Sequence, residues 1–314
     1  MGRTAIIFPG QGAQSAGMGR DVAEAGGRAA EIFAAADRVL GFELSRLCFE
    51  GPATELERTD IQQPAIFVTS VAIWAALQER GAPDSLLGAT AGLSLGEYTA
   101  LHVADAIGFE EALKLVAQRG RLMQEASKAS PSGMVSVVGA DEDGVRALCE
   151  KAAQGEVLTP ANFNCPGQVA ISGTSSACER ALELASEFGC RAVALKVAGA
   201  FHSPLMAPAG RRLAETLAGT PVTRPRVPVV SNVTANYHGE PQTIRDLLER
   251  QLTHPVRWQS SIERLIGDGY DTFVEVGPGR VLTGLMRKIN RGVRAINVSG
   301  LTALDAVMAV DAAN

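Results

Sequence analysis

Gly92-Leu93-Ser94-Leu95-Gly96 lies between a short uncharged run, Leu86-Leu87-Gly88-Ala89-Thr90-Ala91, and a helix-forming run, Glu97-Tyr98-Thr99-Ala100-Leu101. The first run, bounded upstream by Pro83-Asp84, reads as a buried strand of a parallel sheet. The second begins a helix, since Ala and Leu favour that state. Strand, G-x-S-x-G, helix is the context of a nucleophile elbow. Its turn is so sharp that the serine backbone is strained and the hydroxyl is pushed out at the sheet's C-terminal edge. Glycine at both flanks avoids a Cβ that would collide with the neighbouring strand or helix. A bare G-x-S-x-G is more often a turn that happens to hold a serine. The flanking strand and helix make Ser94 a candidate nucleophile.

The chain around this stretch has 314 residues, 46% of them hydrophobic and 20% charged. That is long enough for one large domain plus an inserted one. A formal charge of −5 and a pI near 5.5 argue against nucleic acid as the main partner. The first residues are too soon broken by Pro9-Gly10 to read as a signal peptide, and no apolar run approaches the length of a membrane span. Five cysteines without a C-x-x-C pair read as reduced core thiols of a cytoplasmic protein.

Thr4-Ala5-Ile6-Ile7-Phe8 reads as a first buried strand, running into Pro9-Gly10-Gln11-Gly12-Ala13-Gln14. A dinucleotide fingerprint fails there because Ser15 stands where the third glycine belongs, and the Gly-Lys-Ser/Thr of a phosphate loop is missing. What remains is exposed backbone N–H at Gln11. In an elbow fold this loop supplies one oxyanion-hole donor, the other being the residue after the nucleophile, Leu95. Helices are expected over 21–40, from Gln63-Pro64 to Gly81, and over 110–126. By pattern alone Arg119 on the last is a solvated helix charge. From Ser132 the chain reads strand (134–138), helix (141–153), strand (157–158), strand (168–172), helix (175–188), strand (191–195). This β-α-β-β-α-β order is the ferredoxin-like unit, of a size to be an insertion. Further strands are expected at 227–231 and 272–276, with a helix over 281–290. Of the four histidines, His202 in Gly199-Ala200-Phe201-His202-Ser203-Pro204 is the first candidate base for Ser94, and His254 the second. No metal-ligand spacing is present.

Six segments together resemble the malonyl-CoA:acyl-carrier-protein transacylases of fatty-acid synthesis. They are Phe8-Pro9-Gly10-Gln11-Gly12, Gly92 to Tyr98, Arg119-Gly120, Gly199-Ala200-Phe201-His202-Ser203, Gln251 with Pro255-Val256-Arg257-Trp258, and Glu275-Val276-Gly277-Pro278-Gly279. The resemblance covers nearly the whole chain. It implies an α/β fold: a hydrolase-like parallel-sheet domain (1–128 and 198–314) with an inserted ferredoxin-like subdomain (129–197). It also implies roles: Ser94 the nucleophile, His202 the base, Gln11 and Leu95 the oxyanion hole, Arg119 the grip on the malonyl carboxylate, and Gln251 the support of the histidine. Phe201 stands where, in related acyltransferases of polyketide assembly, phenylalanine accompanies malonyl and serine methylmalonyl. One departure is Leu93, where the family often has histidine.

The expected partners are malonyl-CoA and acyl carrier protein, with no cofactor, no metal, no nucleic acid and no membrane, the chain acting as a monomer. A basic stretch with Arg287 and Lys288, and Arg191 and Lys196 at the end of the insert, are candidates for docking the acidic carrier protein. The rival readings are a polyketide-type malonyl acyltransferase acting in trans and a serine esterase or thioesterase. A Ser-His-Asp enzyme of the second kind places an acid between serine and histidine, and none stands out here.

Overall fold

The computed structural model describes residues 3–304; residues 1–2 and 305–314, the ends of the expected large domain, lie outside the described residues. β1 (Arg3–Phe8) is apolar from Ala5 onward and buried. Where one helix is expected over 21–40 there are two, α1 (Arg20–Glu24) and α2 (Gly27–Leu40). The break falls at Gly26, whose φ of 86° a right-handed helix cannot continue, with Gly27, also at positive φ (63°), at the very start of α2. After α3 (Leu44–Glu50) and α4 (Ala53–Leu56), α5 (Thr59–Glu79) starts ahead of the expected Gln63-Pro64 opening. Pro64 therefore lies inside the helix. The helix tolerates the lost hydrogen bond because it is buried all round, and packing outweighs local propensity.

A 3₁₀ turn (Asp84–Leu86) takes the start of the next expected strand, so that β2 is Ala89–Gly92. α6 (Gly96–Val103) and α7 (Phe109–Ala129) follow. Then come β3 (Ser132–Val138), α8 (Glu142–Ala153), β4 (Leu158–Cys165), β5 (Gln168–Thr174), α9 (Ser175–Leu184) and β6 (Arg191–Ala194). The chain ends with α10 (Ala207–Gly219), α11 (Pro241–Gln251), α12 (Trp258–Gly267), β7 (Tyr270–Val276), α13 (Val281–Ile289) and β8 (Arg294–Val298).

The strands form two sheets. One is parallel in the order β2-β1-β7-β8, the other antiparallel in the order β4-β5-β3-β6. The second order is that of a ferredoxin-like unit, and α8 and α9 pack on it around a core of its own that includes Val135, Leu148 and Ile171. The fold is thus α/β with an inserted subdomain. Of the expected strand at 227–231 only isolated bridges form, because Pro228 has no N–H with which to extend a ladder: Val230 pairs antiparallel with Tyr237, and Val229 makes a parallel bridge to Thr90. That bridge still lays residues 231–232 beside the end of β2.

Register decides where chemistry can occur. Phe8 pairs with Gly92 and Ile7 with Glu275, so the chain leaves β1, β2 and β7 at one edge of the parallel sheet. The turns 9–12, 93–95 and 277–279 meet there. Among the described residues no helix is long and apolar enough to cross a membrane.

Candidate active site

The elbow is built by close approach. A Cβ on Gly92 would come within 1.9 Å of the Gly96 carbonyl carbon, and one on Gly96 within 2.2 Å of the Phe8 oxygen. The Leu93 N–H donates to Phe8 O at 3.1 Å, pinning the turn to the end of β1. Ser94 between them has a φ of 52°, a left-handed conformation rare outside glycine. Its main-chain N–H donates to Asn232 Oδ1 at 2.6 Å, and Asn232 Nδ2 donates to Gly92 O at 2.7 Å. The Val229–Thr90 bridge is what delivers Asn232 to this place.

His202 meets the serine from the segment that leaves the insert. It too has a left-handed φ, 56°, and the loop is seated by Gly199, where a Cβ would come within 2.2 Å of Ser127 Oγ. His202 Nδ1 lies 2.7 Å from the main-chain oxygen of Gln251, and Nε2 lies 2.7 Å from Ser94 Oγ. A carbonyl can only accept, so the proton sits on Nδ1 and the Nε2 lone pair faces the hydroxyl. The imidazole is buried, and burial first, then the charge of Arg119, push its pKa down to about 3.

Arg119 overturns the reading as a solvated helix charge, being fully buried. The adjacent Gly120 lets α7 close on the start of α5, since a Cβ there would come within 2.7 Å of Thr59 O. Arg119 Nη1 donates to Gln63 Oε1 at 2.6 Å, and Nη2 to Ser94 Oγ at 3.0 Å and Gln251 Oε1 at 2.8 Å. Gln251, the last residue of α11, thus faces the histidine with its backbone and the arginine with its side chain. Gln11 hydrogen-bonds Gln62 through its side chain at 2.5 Å. Among the described residues, neither the Gln11 nor the Leu95 main-chain N–H has an acceptor.

The structure therefore brings Ser94, His202, Arg119, Gln251 and Leu95 together, with the Gln11 loop alongside. Phe201 is buried in the main core with no polar contact to make. His254 bonds its neighbours Arg250 and Thr253 and takes no part. Arg191 opens the exposed edge strand β6, and Lys196 follows that strand on the way to His202. Arg287 and Lys288 fall in the last turn of α13, which runs back from the elbow edge to the far end of the sheet, where β8 begins. There they border a hollow of about 610 Å³, and Lys288 donates to Gln168 Oε1 of the insert at 2.9 Å. Sequence reasoning passed over Gln63, Asn232 and His238. The available signals were a polar pair, Gln62-Gln63, directly ahead of the apolar run Pro64-Ala65-Ile66-Phe67-Val68, and Ser231-Asn232 directly after an apolar run.

A strained serine at the edge of a parallel sheet, hydrogen-bonded to a buried imidazole, defines the hydrolase-like α/β class. Comparison with known proteins narrows it. Residues 5–305 match the family model described as "Acyl transferase domain". The malonyl CoA-acyl carrier protein transacylase of Bacillus subtilis is 44% identical over 95% of this chain and 94% of its own length, and that of Salmonella typhimurium 42% over 98% and 99%. A solved acyl carrier protein S-malonyltransferase from Vibrio cholerae superposes with a TM-score of 0.93 at 43% identity, over 97% of this chain and 99% of that one. A malonyl-transacylase solved in complex with its type II PKS acyl-carrier protein gives a TM-score of 0.95 at 40% identity, over 98% and 99%. The chain belongs to the acyl transferase domain family and, within it, to the malonyl CoA-acyl carrier protein transacylases.

Proposed function

We propose that the chain transfers the malonyl group of malonyl-CoA to the phosphopantetheine thiol of acyl carrier protein through a malonyl ester on Ser94, supplying fatty-acid synthesis. The observation that carries this reading is a buried arginine 3.0 Å from the nucleophile's oxygen. A guanidinium fork there suits an acyl group that ends in a carboxylate. An esterase has no use for it, and an esterase orients its histidine with an acid, whereas His202 is held by a main-chain carbonyl.

Ser94 Oγ attacks the thioester carbonyl as its proton passes to His202 Nε2. The oxyanion is taken by the N–H groups of Gln11 and Leu95, and Arg119 moves from the serine oxygen to the malonyl carboxylate. Collapse breaks the C–S bond, and the imidazolium returns its proton to the departing CoA sulfur. The carrier thiol then repeats the cycle on the ester, giving its proton to His202 and restoring Ser94 Oγ–H. No electrons change hands, and the protein's own groups supply every proton transfer, so no cofactor is needed. Phe201, beside the base, is the candidate limit on the size of the α-carbon substituent. The five cysteines, all free and buried, suit a reducing compartment such as the cytoplasm.

Intact mass spectrometry after brief incubation with malonyl-CoA tests the reading. A malonyl adduct on the wild type, absent from Ser94→Ala, is expected; no adduct on the wild type refutes it. The solved complex with a type II PKS carrier favours a second acceptor class. Comparing transfer rates from the loaded enzyme to fatty-acid and polyketide carrier proteins decides between the two.

A further inference from the structure

Below the nucleophile lies a buried carboxylate that the transfer steps leave unused. Glu97, in the first turn of α6, is fully buried. Its Oε1 lies 2.7 Å from Nε2 of the buried His238. Its Oε2 accepts from Gln251 Nε2 at 2.6 Å and from the Asn232 main-chain N–H at 3.2 Å. Gln251 Nε2 also donates to Ser94 O at 2.9 Å, which leaves Oε1 turned toward Arg119 Nη2. The glutamine amide thus bridges a buried cation and a buried anion.

Arg119 has a need for that anion. Its direct acceptors are two glutamine oxygens and a serine hydroxyl, all neutral. Burial pushes its pKa down, and Tyr98 and Glu97 act against the shift. Burial raises the Tyr98 phenol to about 12 and keeps it protonated, which leaves the Glu97 carboxylate, tied to Arg119 through the Gln251 amide, as the acid that faces it. We infer that Glu97 is the resident counter-charge of Arg119, a positioning residue that acts through the Gln251 amide and sets how tightly the site holds an acyl group bearing a carboxylate. The inference rests on the reading of Arg119 as the carboxylate's partner.

In the empty site Glu97 balances Arg119. An entering malonyl carboxylate is a second anion on the same cation, and the two repel across a poorly screened interior. Glu97 therefore moderates the grip, which keeps the loaded acyl group from sinking into too deep a well before the second thiol arrives. It also favours the imidazolium that His202 must briefly become, whatever the acyl group.

Stopped-flow acylation of the full chain by malonyl-CoA and by acetyl-CoA tests this in wild type, Glu97→Gln and Arg119→Ala. Glutamine keeps the reach, its carbonyl accepting from Gln251 and its amide donating to the other tautomer of His238. Glu97→Gln is expected to lower the KM for malonyl-CoA about fivefold, to leave that for acetyl-CoA unchanged, and to slow both acylations alike. A purely structural role would move both KM values together. An unchanged KM ratio in folded Glu97→Gln, with Arg119→Ala losing malonyl transfer selectively, overturns the inference and spares the reading of Arg119. Equal losses of both acyl groups in Arg119→Ala remove that reading and the inference with it. Should Glu97→Gln not fold, Glu97→Asp and Glu97→Asn, equal in size and different in charge, give the same ratio. A lower malonyl KM in the Asn variant supports the counter-charge, and equal values overturn it.

Discussion

His202 is held neutral far below the pH at which a free imidazole takes up a proton. In the unfolded chain that proton binds near pH 6.5, while in the folded protein it binds only near pH 3. Between the two the unfolded state holds more protons, so stability rises with pH across this window and is lost as pH falls through it. Denaturant midpoints from about pH 7 down to pH 4 are expected to fall, and to fall less steeply in His202→Gln. The rate of acylation should stay flat over the same range, because the base of the resting enzyme is not protonated by solvent there; a loss with an apparent pKa near 6.5 would contradict this. Phe201 makes a second prediction at this scale. Phe201→Ser is expected to narrow the preference for malonyl over methylmalonyl-CoA in acyl-enzyme formation. Truncating so buried a ring costs about 3–5 kcal/mol, so the ratio is read on variant shown to be folded by its melting transition. Ser94 and His202 were legible in the sequence because each stands in a loop whose glycines and proline allow strained backbone. The roles of Arg119 and Asn232 were not legible by pattern. Helical spacing does not show that Gly120 draws its helix into contact, and a lone asparagine after an apolar run says nothing of the bridge that places it.

At the scale of elements, the glycines of the elbow and those of ordinary helices part company. A Cβ at Gly92 has no room, the nearest atom being backbone that cannot move without breaking the turn. Gly92→Ala is expected to cost more than about 3 kcal/mol or to abolish soluble protein. Gly284, inside α13, has open space around its missing Cβ and an ordinary helical backbone. Gly284→Ala should therefore stabilise the chain by about 0.5–1 kcal/mol, read as a higher denaturant midpoint at constant slope. The same contrast explains which elements could be read. The insert's strands and helices alternate cleanly, with Asp141 and Thr174 side chains capping α8 and α9. Pro64 misplaced the start of α5, because burial on every side of that helix is a property of the fold and not of the local sequence. Pro228 hid the opposite failure, a run with strand composition that forms isolated bridges and no ladder.

At the scale of the whole molecule, charge is distributed unevenly over a chain of net −5. From Val276 to Leu304 it has no acid, and Arg191 and Lys196 flank the exposed edge strand that leads to His202. Reversing Arg191 and Lys196 is expected to raise the KM for the acidic carrier protein while leaving acylation by malonyl-CoA unchanged. Arg287 and Lys288 lie at the far end of α13, and their reversal should have the smaller effect; a larger one would move the docking face there. The sheet itself carries a consequence for how the chain is made. β1 is the first strand to emerge and lies at the centre, with β2 on one side and β7 on the other. At ordinary synthesis rates roughly ten seconds to a minute separates its appearance from that of β7. Through that interval one edge of a strand that is apolar from Ala5 onward stays open, while the contiguous unit proposed for 129–197 has everything it needs to close. The nascent chain thus completes its accessory body first and carries its unfinished catalytic half in the care of whatever shelters the ribosome exit.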